Sequence, residues 1–349
     1  MHASGWRLIK DKTNDPFSQK TQSTGFYVFL CIGCCTIMNR TNWITIVNCT
    51  AGGGKTGRDW PLIESLLKKH GIRFEPYLTG RRLHASIIAR NKIEEGYSKI
   101  IVVGGDGTMN EVINGVFAQT RIHTTEVMLG MISVGTGNDW ARMFNIPADY
   151  EEAVVAIKKQ KTFIQDAGMV RYLKNGKEWK RYFVNIAGMG FGAKVVERVN
   201  RMRDRGRHGT MVYFYNIFSS LLGYRSTPAR ISIDGLTIDR KIFLMNVGIG
   251  KYNGGGMMQV PHAIADDGLY SITLIRKMGK LNVIANLKRL YNGSITEHSK
   301  VETYTARSVQ IDGPGVLKIE TDGESLGTGP LQFQIIPRSV RVISGEMTA

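Results

Sequence analysis

Acidic side chains are scarce. The chain holds 29 Asp and Glu against 46 Lys and Arg, a formal net charge of +17 over 349 residues. Such a balance favours polyanions as partners, whether nucleic acid, anionic lipid headgroups or phosphorylated small molecules. Cysteine is scarce too. Cys31, Cys34 and Cys35 crowd one short segment and Cys49 is the fourth. Bridges among such neighbours would close very short loops, which argues against a secreted disulfide scaffold and for a reducing, cytoplasmic setting. Cys31-x-x-Cys34 offers half a zinc site, but no second Cys/His pair follows at ligand spacing. Long hydrophobic runs are lacking as well. The apolar stretch Phe26–Met38 falls short of the ~20 residues of a membrane span. As a signal peptide it fails, because its leading segment is long and mixed in charge and no small-x-small cleavage site follows. Residues 1–38 are expected to be a leader outside the fold, with Met38 as the native start; a membrane-associating segment is the alternative.

What is present is enough apolar material, 42% of residues, to build a core. At ~150 residues per domain the length suggests two domains. Glycine is abundant, with 40 residues, and it is clustered. Trp43–Asn48 is a β-branched run that reads as a buried strand and ends in Ala51-Gly52-Gly53-Gly54-Lys55-Thr56-Gly57. A helix is expected next, N-capped by Asp59 with Pro61 in its first turn, running to His70. A strand over Ile72–Tyr77 and a helix over His84–Glu95 follow. Lys99–Val103 is a near-continuous apolar strand that enters Gly104-Gly105-Asp106-Gly107-Thr108, with a helix from Met109 to Phe117. Val127–Val134 is a further strand, ending in Gly135-Thr136-Gly137-Asn138-Asp139. Strand–loop–helix units in series imply a parallel sheet with crossover helices. After Asp166 strand-like alternation dominates, at Arg181–Ile186, Ala229–Ile233, Lys241–Val247, Leu269–Ile275, Thr303–Asp312, Val316–Thr321 and Leu331–Ile336. Helices are expected near Ala193–Arg201, Met211–Gly223 and Gly279–Tyr291. This second domain is expected to be mostly antiparallel β.

Three glycine-rich loops thus end three strands, the edge of an open α/β sheet where ligands bind. Backbone N–H groups and helix N-termini there suit phosphate. Gly52-x-Gly54-x-x-Gly57, with Glu75 on the next strand, matches the dinucleotide fingerprint but leaves the other two loops without a role. Gly54-Lys55-Thr56 is not a P-loop, because that pattern needs glycine where Cys49 stands. No zinc-finger spacing, RNA-recognition aromatic motif or basic zipper accompanies the charge, so nucleic acid is not an expected partner.

Together, Asn48 with Gly52–Lys55, the run Gly104–Gly115 (GGDGTMNEVING) and Gly135–Arg142 (GTGNDWAR) resemble the diacylglycerol-kinase-type lipid kinases. The second half is similar to the same family at Tyr182–Phe191, at Asn246 with Gly254–Gly256, at Ala265–Leu269 and at Asp322-Gly323-Glu324 followed by Pro337. The resemblance runs from Asn39 to the C-terminus. NAD kinases and phosphofructokinases share the Gly-Gly-Asp-Gly element, so that element alone does not choose the acceptor. The resemblance implies a Rossmann-like parallel-sheet ATP-binding domain over 39–166, a β-rich lipid-substrate domain over 167–332, and a return of about 333–349 to the first domain.

It also implies roles. Asn48, Gly52, Gly53, Gly54, Lys55 and Thr79 would contact nucleotide. Gly104, Gly105, Asp106, Gly107 and Thr108 would wrap the phosphates, Asn110 and Glu111 would join them in binding the nucleotide, and Thr136 would meet it from the third loop. A carboxylate beside polyphosphate is repulsive unless a cation intervenes, so Asp106 is expected to act through Mg²⁺. Glu324 is the implied general base toward a lipid hydroxyl, with Asp322 its helper or substitute; without the resemblance, Asp322–Glu324 reads as an ordinary hairpin turn. A second Mg²⁺ is implied at Asp267 with carbonyls near Ile264 and Leu269, Asp166 joining through water; a plain β-turn is the alternative. Arg198–His208, with five arginines and one aspartate, precedes the apolar run Met211–Phe218, a pairing that suits an anionic membrane surface. The expected activity is ATP-dependent phosphorylation of diacylglycerol by a cytoplasmic, membrane-peripheral enzyme. Sphingoid bases, ceramides or other lipid alcohols are alternative acceptors; NAD kinase or an NAD-dependent dehydrogenase is more remote. A homodimer is left open.

Overall fold

The structure, a computed structural model, describes residues 41–135, 137–204, 210–313 and 317–346, with backbone alone at 203–204 and 210–214. The expectations for residues 1–38, for Thr136 and for the side chains of Arg203, Arg205 and Arg207 lie outside the described residues.

The first half alternates strand and helix: β1 (Trp43–Val47), α1 (Lys55–Lys69), β2 (Phe74–Leu78), α2 (His84–Glu94), β3 (Lys99–Gly104), α3 (Asp106–Ala118) and β4 (Met128–Ser133). β1 pairs in parallel with β2 and β3, and β3 in parallel with β4, so the order is β2-β1-β3-β4. Side chains alternate across a strand. Ile44 and Ile46 therefore pack with Ile88 of α2 and Val112 of α3, while Trp43 and Val47 pack with Trp60 and Ile63 of α1. Both faces are covered, which is why these strands read as nearly unbroken apolar runs. Gly115 lets α2 and α3 touch: a Cβ there would lie 2.4 Å from the Ser86 carbonyl oxygen.

Two helix starts differ from expectation. α1 begins at Lys55, so Asp59 and Pro61 lie inside it rather than at its cap. Gly52, Gly53 and Gly54 all take positive φ (61°, 67° and 84°) and turn the chain into the helix earlier. α3 begins at Asp106, because the Gly105 carbonyl already accepts from the amides of Thr108 and Met109. Two helices went unread, α4 (Asp139–Met143) and α5 (Tyr150–Lys159). α5 has a sequence signal, Asp149, whose side chain accepts from the amides of Glu151 and Glu152.

The second half contains β5 (Thr162–Lys174), β6 (Lys177–Phe183), β7 (Ile186–Gly190), α6 (Phe191–Asp204), α7 (Thr210–Leu222), β8 (Thr227–Ile233), β9 (Leu236–Gly248), β10 (Tyr252–Asn253) and β11 (Met257–Met258). It continues through β12 (Tyr270–Arg276), α8 (Lys280–Ala285), α9 (Leu287–Tyr291), β13 (Val301–Ala306), β14 (Ser308–Asp312), β15 (Lys318–Thr321) and β16 (Glu324–Ile343). The strands of this half pair with one another antiparallel, giving a mixed α/β protein with a β-rich antiparallel second domain.

The sequence left several boundaries here unread. β5 went unread as a strand altogether, and it runs unbroken through Asp166. The expected strand Thr303–Asp312 is two strands with different partners, β13 on β12 and β14 on β8 and β16. They part at Arg307, where Asp234 accepts from the amides of Arg307 and Ser308. The helix expected over Gly279–Tyr291 divides at Asn286. Leu331–Ile336 is the middle of β16, 20 residues long. β16 pairs with β15, β14 and β5, then ends beside β4 with Arg341 and Val342 in parallel register with Met128 and Leu129. One sheet therefore passes through both halves, in the order β13-β12-β9-β7-β15-β16-β4-β3-β1-β2.

Candidate active site

The chain leaves β1 toward β2 on one side and returns to β3 on the other. The crevice at the carboxyl ends of β1 and β3 is thus a topological switch point, the usual ligand position in such sheets. Asn48 bridges it: its Nδ2 donates to Thr108 Oγ1 at 2.9 Å, while its Oδ1 accepts from the Thr50 amide and hydroxyl. Gly104 permits the close approach of Thr108, whose Oγ1 would lie 2.7 Å from an added Cβ. α3 opens at the same place; the Thr108 and Met109 amides turn back to the Gly105 carbonyl, and the N–H groups before them have no carbonyl partner within the helix. Gly104, Gly105, Asp106, Gly107 and Thr108 therefore form one amide-lined anion cradle. Gly52 borders it from the β1–α1 loop: a Cβ there would lie 3.5 Å from the Val134 carbonyl oxygen, the atom that a Cβ on Gly105 would approach to 4.0 Å. Thr79 directly follows β2, its amide bonded to the Val47 carbonyl at 2.9 Å. Lys55 pairs with Asp59 and donates to the Tyr150 hydroxyl at 2.6 Å; these contacts raise its pKa.

Asp106 holds the third loop to the second. Its Oδ2 accepts from the Asp139 amide at 2.9 Å and its Oδ1 from the Trp140 amide at 3.2 Å. Asp139, buried, in turn accepts from the amides of Gly255 and Gly256 at 2.9 and 2.6 Å, joining the first domain to the β10–β11 loop. A Cβ on Gly137 would sit 3.4 Å from Asp106 Oδ2 and 3.5 Å from Asp139 Oδ2, so the two carboxylates flank one spot. Desolvation, then the Asp139 charge, push the Asp106 carboxyl up to about 7. A divalent cation between them would relieve that repulsion. Two carboxylates plus phosphate oxygens and water suit Mg²⁺, which seldom has an all-protein cage. Among the described residues no cluster of three or more His, Cys, Asp or Glu forms a metal site.

The Asp322–Glu324 turn faces this cradle. Asp322 and Gly323 have φ of 48° and 82°, and Thr321 pairs with Glu324, so this is a two-residue hairpin turn with both central residues left-handed. Asp322 is more than a turn residue. Its buried carboxylate accepts from Asn110 Nδ2 at 2.7 Å and from the amides of Val184, Asn185 and Ile186 at 3.1 Å each. With four donors on it, Asp322 is a clamp rather than a substitute base. Its donors also correct the role expected of Asn110, which is fully buried and spent on Asp322, the Tyr182 carbonyl and Arg181. Glu111 is likewise structural, accepting from the amides of Leu83 and Ala85 at the start of α2.

Glu324 remains partly open to solvent, at 26% of its side chain, and forms an ion pair with Arg82. Its Oε1 would lie 3.5 Å from a Cβ on Gly107, so the carboxylate stands over the first turn of α3. Four contributors were not singled out from the sequence: Arg82, Asp139, Arg181 and Glu320. Asp139 belongs to the quoted GTGNDWAR run, yet nothing in the run tells its bonds to Gly255 and Gly256. Glu320 is buried, bonded to Asn253 and the Gly323 amide, and burial pushes its carboxyl up to about 8.

The second implied cation set is less favourable. Asp166 accepts from the amides of Gly268 and Arg338 at 2.8 and 2.6 Å, and Asp267 closes a local turn onto the Leu269 amide at 2.9 Å. Ile264 is 55% exposed. These contacts describe a pinned β-turn. In the arginine-rich segment, α6 reaches the Asp322–Glu324 turn through Asn200 Nδ2, which donates to the Gly323 carbonyl at 3.2 Å. Among the described residues no helix is long and apolar enough to cross a membrane.

Comparison with known proteins matches this geometry to named families. Residues 42–170 match the diacylglycerol kinase catalytic domain, and residues 185–344 match the YegS C-terminal NAD kinase beta sandwich-like domain. The chain is 27% identical over 299 residues to a diacylglycerol kinase of Staphylococcus carnosus, covering 85% of this chain and 93% of that one. It is 28% identical over 279 residues to a diacylglycerol kinase of Mycobacterium tuberculosis, covering 79% and 86%. A crystal structure of a diacylglycerol kinase from Bacillus anthracis superposes with a TM-score of 0.66 at 24% identity, over 87% of this chain and 97% of that one, a likeness of fold.

Proposed function

This chain belongs to the diacylglycerol kinase family, and on that premise we propose that it transfers the γ-phosphate of ATP to the free hydroxyl of diacylglycerol, giving phosphatidic acid. One observation carries the mechanism: the Glu324 carboxylate stands over Gly107, beside the amide-lined first turn of α3. A base and a phosphate cradle separated by little more than one side chain leave room for an acceptor hydroxyl between them.

The parallel half serves as a Rossmann-like nucleotide platform. Gly52–Gly54 and Gly104–Thr108 hold the polyphosphate by backbone N–H groups and the positive end of α3. Asn48 fixes the crevice walls through Thr108. Glu324 accepts the hydroxyl proton as the oxygen attacks phosphorus. Arg82, now paired with Glu324, orients that carboxylate and adds positive charge where phosphate charge develops. Asp322 holds the turn to β7 and α3, and so positions Glu324 without touching substrate. Bound Mg²⁺ would be held by Asp106 and Asp139 and would neutralise phosphate charge. The working site of such an enzyme is the cytoplasmic face of a membrane, where its acceptor resides.

The test is transfer of labelled γ-phosphate to a panel of diacylglycerol, monoacylglycerol, ceramide, sphingosine and undecaprenol in mixed micelles, with NAD as soluble control. Labelled phosphatidic acid, lost in Glu324→Gln, is the expected result. Label on a different lipid would change the acceptor and keep the machinery; label on NAD alone would overturn the lipid acceptor.

A further inference from the structure

We propose that the outer face of α7 and α8 is a docking surface for an anionic lipid bilayer. α7 is apolar on two sides. Ile217 and Leu221 are buried in a cluster with Val195, Val199 and Met278, while Tyr215, Phe218 and Leu222 are 62%, 44% and 73% exposed at helical spacing. A helix apolar all round is normally covered all round. α8 extends the same surface. Leu281 is 83% exposed and Ile284 42%, and Lys280 Nζ donates to the Leu222 carbonyl, seating the start of α8 beside the end of α7.

Charge selects the occupant. Residues 268–296 hold Arg276, Lys277, Lys280, Lys288 and Arg289 and no acidic residue, with Arg276 paired to Glu302 and Arg289 to Glu297 from beyond that stretch. Arg225, Lys277, Lys280 and Lys288 are exposed. Bare apolar side chains bordered by Arg225, Lys277, Lys280 and Lys288 match the boundary of acyl chains and phosphate headgroups. Position agrees as well: α6, packed under α7, bonds through Asn200 to the Gly323 carbonyl of the turn that carries Glu324. The surface would thus bring the acceptor base to the membrane. Its purpose rests on the lipid-acceptor function, but its existence can be tested without catalysis.

The experiment is cosedimentation of the full chain with phosphatidylcholine vesicles, with and without phosphatidylglycerol, in the absence of nucleotide and acceptor. Binding should rise with phosphatidylglycerol and fall with salt. The double variant Leu222→Ser/Leu281→Ser should lower partitioning by about tenfold or more, with its unfolding midpoint and its phosphorylation of a dispersed short-chain diacylglycerol unchanged. Lys277→Gln/Lys288→Gln should flatten the dependence on phosphatidylglycerol. Unaltered partitioning of the double serine variant would overturn the proposal. So would a wild-type dimer that those substitutions split with no effect on vesicles, because a second copy would then cover the face. Vesicle binding by a chain that phosphorylates no lipid would keep the surface and remove the proposed function.

Discussion

Replacing Asp322 by Asn exchanges one carboxylate oxygen for an NH₂ group and tests the clamp directly. Oδ2 of Asp322 accepts from Asn110 Nδ2 and the Val184 amide; Oδ1 accepts from the amides of Asn185 and Ile186. An asparagine must put its own NH₂ at one of these positions, where it meets two donors and accepts from neither. Flipping the Asn110 amide offers no escape, because its Oδ1 already accepts from Arg181 and Asn114. At about 1–3 kcal/mol for each buried donor left unsatisfied, the two lost bonds cost about 2–6 kcal/mol. That is a large share of the roughly 5–15 kcal/mol that stabilises a typical protein. The urea midpoint, followed by far-UV circular dichroism, should therefore fall clearly below wild type. Turnover should fall as well, since the clamp fixes the turn that presents Glu324. A variant with the wild-type midpoint and wild-type turnover would refute the clamp.

Glu324→Gln should behave in the opposite way, keeping the urea midpoint and ATP affinity while lowering kcat by about 10²-fold or more in the micelle assay. Glu320 should impose a pH dependence on stability. Its folded pKa is raised to about 8, so between the ordinary glutamate value and 8 the folded state holds a proton that the unfolded state lacks. Stability must then fall as pH rises through that window, by on the order of a few kcal/mol. Unfolding midpoints from pH 4 to 9 should show the decline in wild type and a flatter profile in Glu320→Gln. Gly115→Ala should destabilise by about 1–3 kcal/mol, because its Cβ would overlap the Ser86 carbonyl; nucleotide affinity at low temperature should stay near wild type, as the change lies at the far end of α3.

Local chemistry made much of this protein readable in its sequence. Unbroken apolar runs such as Lys99–Val103 marked strands covered on both faces, and glycine clusters after three strands marked one ligand-binding edge. What stayed hidden depended on partners far along the chain. Asp59 and Pro61 have good capping chemistry, but the left-handed glycines before Lys55 start the helix first. Asp322-Gly323 is a turn by composition. That its carboxylate also gathers the amides of Val184, Asn185 and Ile186 required β7 and β15 to be adjacent strands. Asn110 and Glu111, drawn toward nucleotide by their motif, are taken up instead by Asp322 and by the start of α2.

The sequence alone thus determined the strands of the first half, the glycine-rich loops whose chemistry suits phosphate, and the order of the motifs, because propensity, periodicity and glycine placement act over a few residues. Tertiary structure decided which carboxylate is open to a substrate. Asp106, Asp139, Asp322 and Glu324 are all acidic residues at turns or helix starts, and nothing local distinguishes them. Asp139 and Asp322 are held by amides brought from the other domain or from distant strands, and Asp106 by the start of α4, while Glu324 faces the cradle paired with Arg82 and partly open to solvent. Burial and long-range hydrogen bonding assign those roles, and both exist only once the sheet has closed through β16.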